Sequence, residues 1–342
     1  MDNVDNVNNV AEYLLVAAII FIVVALICNL VVVTGRSKAA PAQVKTKEKV
    51  RAKKPAAVSA DGTATTTVSG TVSGTTAETT VTRGGKSTTT TVRTTGAGGL
   101  SRGRGLPTGL AFYATGFTFT AFLLTLVYLI IRSIQTGYGP FSNQHEFAIS
   151  FVCGILAAYL VAEYLYQIRI ISLFVLPVAA VLLLYALALD TSVRPLIPAL
   201  QNNLLLTLHV GFAMLAYGAA CVSCGAAILY LLYPYLKFRR MPPRDLFDDI
   251  GYKAATVTFP LLTIMILLGA VWANTAWGRY WGWDPKETAA LVTWLIYGAY
   301  LHARVTRGWQ GKRSAWLLLL GFAAVLFAYF GNHFFGGLHS YA

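Results

Sequence analysis

The chain has 342 residues, 56% of them hydrophobic and only 12% charged, with a mean hydropathy of +0.59. That balance predicts an integral membrane protein and excludes an ordinary soluble domain, because apolar runs long enough to cross about 30 Å of hydrocarbon recur along the chain. The formal net charge of +13 suggests nucleic acid at first sight, but the placement of the basic residues in membrane-flanking loops excludes it as a partner.

Eight apolar runs are predicted as spans, at roughly 11–33, 108–131, 146–166, 170–189, 204–233, 252–273, 288–304 and 314–332. The expected fold class is an all-α integral membrane protein of about eight transmembrane helices. The first run lacks a basic leading segment and a small-residue cleavage site, so residues 1–33 read as a retained N-terminal anchor.

Residues 34–105 are the one long hydrophilic excursion. Lysines and Ala-Pro come first, then a Thr/Ser/Gly/Val tract such as Thr63-Ala-Thr-Thr-Thr-Val-Ser-Gly70. No aromatic residue occurs in it, so it cannot bury enough apolar surface to fold and is expected to be a disordered cytoplasmic tether. Gly85-Lys86-Ser87 has Thr80 where a phosphate-binding loop needs glycine, which removes ATP hydrolysis from consideration. Residues 106–342 form the remaining membrane domain.

The basic residues orient the spans. Of the 27 lysines and arginines, 13 fall within 34–105, five at 237–253 and four at 304–313, and Arg169 shares their side. Only Arg132, Arg194, Arg279 and Lys286 fall on the opposite side. By the positive-inside rule both termini and the loop before residue 288 lie outside.

Within the spans, Cys221-Val-Ser-Cys224 has the spacing of a thiol-exchange pair. It sits mid-span among Ala and Gly, where small residues serve close helix packing. No Cys-x-x-Cys-His occurs, so the chain is not itself a c-type cytochrome. Glu163, a carboxylate inside a span, is expected to pair with Arg169. Four of the five histidines, His145, His209, His333 and His339, lie toward the outside, whereas His302 lies near the inner end of the seventh span.

The most specific signal is Trp277-Gly-Arg-Tyr-Trp-Gly-Trp-Asp-Pro-Lys-Glu287. Trp and Tyr gather at any membrane interface, but Trp272, Trp277, Trp281 and Trp283 within twelve residues, punctuated by Gly278 and Gly282, exceed such a belt. Indole faces on a glycine-bent loop suit a large planar ring. Asp284, Pro285 and Glu287 also read as N-cap, N1 and N3 of the next helix, a capping box. Two histidines flanking the tryptophans could serve as axial ligands to iron.

This loop, the outer histidines and the intramembrane histidine together resemble the CcsA/ResC family of system II cytochrome c biogenesis proteins, often labelled CcsB in bacteria, over residues 107–342. The loop is similar to the family's WWD motif. His209 in Leu208-His-Val210 and His339 in Gly337-Leu-His-Ser-Tyr341 resemble the family's two external haem ligands, and His302 its transmembrane histidine. His145 stands where the family usually has tyrosine, and His333 matches no family ligand.

The resemblance implies that haem b enters a transmembrane site at His302, shared with a ResB/CcsB-type membrane partner. It then reaches the external platform, where His209 and His339 ligate iron and Trp277, Trp281, Trp283 and Asp284 hold the macrocycle. There an apocytochrome c offers its Cys-x-x-Cys-His thiols for thioether formation, with thiol-reducing proteins as further partners. The implied role is subunit of a holocytochrome c synthase in a bacterial plasma membrane or a thylakoid-type membrane. Three other readings stay open: a CcmC-like WWD protein loading a haem chaperone, a transmembrane thiol-disulfide carrier using Cys221 and Cys224, and a plain transporter or scaffold with an aromatic belt.

Overall fold

A computed structural model describes residues 2–35, 77–83, 86–92, 109–192, 200, 203–236, 238, 241–331 and 335–339. His333, most of the 34–105 segment and the last three residues lie outside the described residues. The chain divides into two units, Lys38–Leu106 and a membrane unit built from the rest.

The membrane unit is all α among the described residues: α1 (Asp2–Thr34), α2 (Leu110–Thr136), α3 (Gln144–Tyr166), α4 (Ser172–Leu187), α5 (Asn203–Leu232), α6 (Arg244–Trp277), α7 (Pro285–Arg307) and α8 (Lys312–Phe330). Six of them are long and apolar enough to cross a membrane. The exceptions are α4, whose 16 residues span only about 24 Å at 1.5 Å per residue, and α7, which carries Lys286 and Glu287 at one end and Arg304 and Arg307 at the other. The chain is a helical integral membrane protein.

Packing follows the residue spacing. Leu15, Ala18, Ile22 and Ala25 recur at three- and four-residue intervals on α1 and are fully buried, forming one stripe in a helix that packs on α2 and α4. The rest of α1 exposes Ile20, Val23, Ile27 and Leu30, as a lipid-facing surface does. At the centre, α5 packs on α3, α6 and α8. It approaches α3 backbone to backbone: a Cβ on Gly218 would collide with the Gly154 carbonyl. Small residues give this closeness, and dispersion contacts reward it where lipid supplies no hydrophobic drive.

Buried ion pairs tie the helix ends. Arg132 Nε donates to Glu146 Oε1 at 2.9 Å, and its Nη2 reaches the Thr191 carbonyl. Beside them His145 Nδ1 donates to the Ala186 carbonyl at 2.8 Å, so its Nε2 accepts from the Tyr128 hydroxyl at 2.6 Å. His145 is therefore a satisfied joint between α2, α3 and α4. At the other end Glu163 pairs with Arg169 at 2.6 Å, as its sequence context predicts, and Asp248 takes Arg304 at 2.5 Å and the Gly311 amide at 3.1 Å. That last anchor explains why α6 begins at Arg244, eight residues before the predicted span: Phe247 and Ile250 bury on the same lead-in turn.

In the other unit, β1 (Ala77–Arg83) pairs antiparallel with β2 (Lys86–Val92), Arg83 opposite Lys86. These two strands lie within the 34–105 segment expected to be a tether. Threonine and valine favour strands, and Gly84-Gly85 between them is a two-residue hairpin signal.

Candidate functional site

The site is built from the Trp277–Glu287 loop upward. α6 ends at Gly278 in the left-handed region, and α7 starts on a capping box: Asp284 Oδ2 accepts from the Lys286 amide at 3.1 Å, and Glu287 Oε2 from the Asp284 amide at 3.2 Å. Glu287 Oε2 also takes the Gly282 amide at 2.8 Å, which closes the loop on itself. Satisfying these orphan amides fixes the backbone on which the tryptophans sit.

Asp284 does more than cap. Its Oδ1 accepts the Leu338 amide at 2.5 Å and its Oδ2 the His339 Nδ1–H at 2.7 Å, across 55 residues of chain. A Cβ on Gly337 would strike Asp284 Oδ1, so glycine there lets the tail approach. Burial acts to raise the Asp284 carboxyl, but hydrogen bonds from His339 and the two amides outweigh it and hold the group below its ordinary range.

His209, in the second turn of α5, donates Nδ1–H to the Met265 carbonyl of α6 at 2.8 Å. Its ring fits because position 269 is glycine: a Cβ there would come within 2.7 Å of His209 Cε1. A carbonyl and a carboxylate can only accept, so both histidines carry a proton on Nδ1, the tautomer that in a neutral ring leaves the lone pair on Nε2. Acceptors behind a histidine fix its tautomer and orientation in this way at metal sites.

Both imidazoles contact Trp272, which is 2% exposed. His209 stacks on it at 6.1 Å between centroids, and His339 lies at 5.6 Å on a tilted approach. Both line one cavity whose other walls include Phe147, Met265, Tyr280, Trp281, Lys286, Glu287 and Tyr329. An aromatic cavity with two Nδ1-protonated imidazoles suits a flat iron-bearing macrocycle in donor type.

The predicted site residues divide by position. His209, His339 and Trp281 line the cavity. Trp277 packs edge-on behind His339 at 4.9 Å and against Trp272 at 5.0 Å. Asp284 is buried behind His339 and reaches the cavity through it. Trp283 is 70% exposed with φ 56°, in T-shaped contact with Trp281, and lines no described cavity. His302 is exposed on α7 and is not brought to this site. Cys221 and Cys224 are free thiols buried in α5 at 0% and 3% exposure.

Sequence reasoning missed Gln144, Tyr217, Lys286 and Tyr329 as lining residues. Lys286 alone carried a signal, being next to the cap. The Met265 carbonyl, a backbone group, had none.

The family model described as cytochrome C assembly protein matches residues 142–339, which contain the whole loop and both outer histidines. This chain belongs to the cytochrome c assembly protein family. It is 37% identical over 254 residues to the cytochrome c biogenesis protein CcsA of Guillardia theta, covering 66% of this chain and 84% of that one. The CcsA proteins of Gloeothece citriformis and Gloeobacter violaceus match at 36% over 267 and 34% over 290 residues, covering 61% and 66% of this chain and 81% and 85% of theirs.

Proposed function

We propose that this chain, a cytochrome c biogenesis protein of the CcsA family, binds haem b as cargo at the outer membrane face and presents it to apocytochrome c. His209 and His339 hold the iron through Nε2, one from each side. The observation that carries this reading is the pair of Nδ1–H bonds, to the Met265 carbonyl and the Asp284 carboxylate, on two histidines lining one aromatic cavity. Trp281 packs on the macrocycle, while Trp277 and Asp284 hold His339 in place.

The chemistry then needs little from the protein beyond position. A cysteine S–H of the apocytochrome adds across a haem vinyl C=C, the sulfur bonding one carbon and a proton the other, with no leaving group. Held geometry supplies the rate, and the apocytochrome's own histidine replaces one of the two ligands. His302, exposed on α7, is the chain's contribution to an inner haem site completed by a ResB/CcsB-type partner, with thiol-reducing proteins keeping the substrate cysteines reduced. Cys221 and Cys224 take no part, since an approaching thiol cannot reach them.

The orientation puts Ala342 and the Trp277–Glu287 loop outside, following the placement of the basic residues. A bacterial plasma membrane or a thylakoid-type membrane satisfies it equally. A reporter fused after Ala342 that works only in the cytoplasm would reverse the assignment.

The direct test is the absorption spectrum of the purified chain. His209→Gly or His339→Gly is expected to lower retained haem at least tenfold, with partial recovery on added imidazole, which fills the vacated iron position. Haem retention unchanged in both variants refutes the ligation.

A further inference from the structure

Ligation by two histidines leaves one cavity feature unexplained: a single lysine on a wall that is mainly apolar and aromatic, with Ser142, Gln144 and Glu287 as its other polar members besides the histidines. Lys286 in the first turn of α7 lines the cavity, and it is the only lysine or arginine among the lining residues. Its Nζ lies 5.5 Å from the Phe147 ring centroid, and it appears in none of the ion pairs among the described residues. The nearby carboxylates are committed elsewhere, Asp284 to His339 and two amides, and Glu287 to the Gly282 and Asp284 amides.

An ammonium kept in such a wall with no ion pair among the described residues has a desolvation cost that an anionic ligand would offset. The Gln144 side chain lines the same cavity and offers an amide donor. Ser142 cannot help as a donor, because its hydroxyl and its amide both go to Glu146 Oε2 at 2.8 Å.

We infer that Lys286 and Gln144 form a carboxylate-binding subsite that receives a propionate of the haem. This rests on the haem reading above and deepens it. The propionates and the vinyls occupy opposite edges of the macrocycle. Anchoring a propionate at Lys286 therefore decides which edge turns inward and directs the vinyl edge toward the incoming thiols. Charge-assisted hydrogen bonding at Lys286 supplies the preference.

The test is titration of the purified full-length chain with haem and with haem dimethyl ester, whose propionates are capped. Wild type is expected to bind haem about tenfold more tightly than the ester, the scale of one charge-assisted hydrogen bond. Lys286→Met should abolish that preference by weakening haem binding alone, with ester affinity and the two-histidine spectrum unchanged, which also shows that the variant is folded. Lys286→Arg should keep the preference. Equal wild-type affinity for both ligands, or an equal loss of both in Lys286→Met, would mean that the lysine merely reaches toward the interface, and overturns the subsite while the haem reading stands. A wild-type chain that binds neither ligand in a His209- and His339-dependent manner overturns both.

Discussion

At one end of the helical bundle His209 and His339 each hand their Nδ1 proton to a fixed acceptor, whereas at the other end His302 lies exposed on α7. There its backbone carbonyl accepts from Thr306 Oγ1 at 2.7 Å, and its side chain makes no hydrogen bond among the described residues. Two of the ion pairs show a similar contrast. Arg132 and Glu146, beside the outer site, are 4% and 0% exposed, while Arg304 and Asp248, near His302, are each 12% exposed. A ligand whose orientation is set in advance binds without further ordering, and one on an open face needs a second molecule to complete it.

The largest expected effect tests whether the outer end is the more rigid. Arg132→Met strands the Glu146 carboxylate in a buried site, and losing one member of such a pair costs about 3–5 kcal/mol. Arg304→Met should cost less than half as much, because Asp248 keeps the Gly311 amide and some water. Thermal unfolding of the purified variants in detergent measures both. Equal losses would erase the contrast between the ends.

Next in size is a change that never touches the cargo. In Asp284→Ala both carboxylate oxygens are gone, and His339 Nδ1–H loses its acceptor. The ring then loses the contact that fixes its tautomer and its orientation toward the iron. Removing the acceptor behind a metal-binding histidine lowers affinity about 10–100-fold, so haem titration of Asp284→Ala should show a loss in that range. His302→Ala should leave the same titration unchanged in the isolated chain. A matching loss in His302→Ala would place His302 in the outer site and remove the distinction between the two ends.

How much of this was legible in the sequence depended on the range of the interaction. Apolar runs gave the helices, because a lipid-facing segment must be apolar along its whole length. The capping box at Asp284–Glu287 was legible because its partners are three residues apart. The bond from Asp284 to His339 was not, since 55 residues of chain separate them and both residue types have commoner local uses. No side-chain pattern could point to the Met265 carbonyl. The hairpin of β1 and β2 is legible in threonine-rich strands around Gly84-Gly85, although the segment offers no core. Which tryptophan faces the cavity depended on a backbone angle at Trp283 that no spacing rule supplies.

That angle gives the smallest and most discriminating effect. Trp281 lines the cavity, so Trp281→Ala should weaken haem binding severalfold through lost ring contact. Trp283 is mostly exposed and holds φ 56°, a region costing a residue with a Cβ about 1–2 kcal/mol. Trp283→Ala keeps that strain and loses the contact with Trp281, whereas Trp283→Gly loses the contact and releases the strain. Glycine is ordinarily less stable than alanine by about 0.5–1 kcal/mol in regular structure, for reasons of chain entropy. At position 283 the order should reverse, with the glycine variant melting higher by an amount equivalent to about 1 kcal/mol, while at 281 alanine should stay at least as stable as glycine. Neither substitution at 283 should alter haem affinity by more than about twofold, because the ring packs on Trp281 from the outside. A larger loss in both Trp283→Ala and Trp283→Gly would mean that the exposed indole folds over the bound macrocycle, and the loop would then contribute two tryptophans to the cargo instead of one.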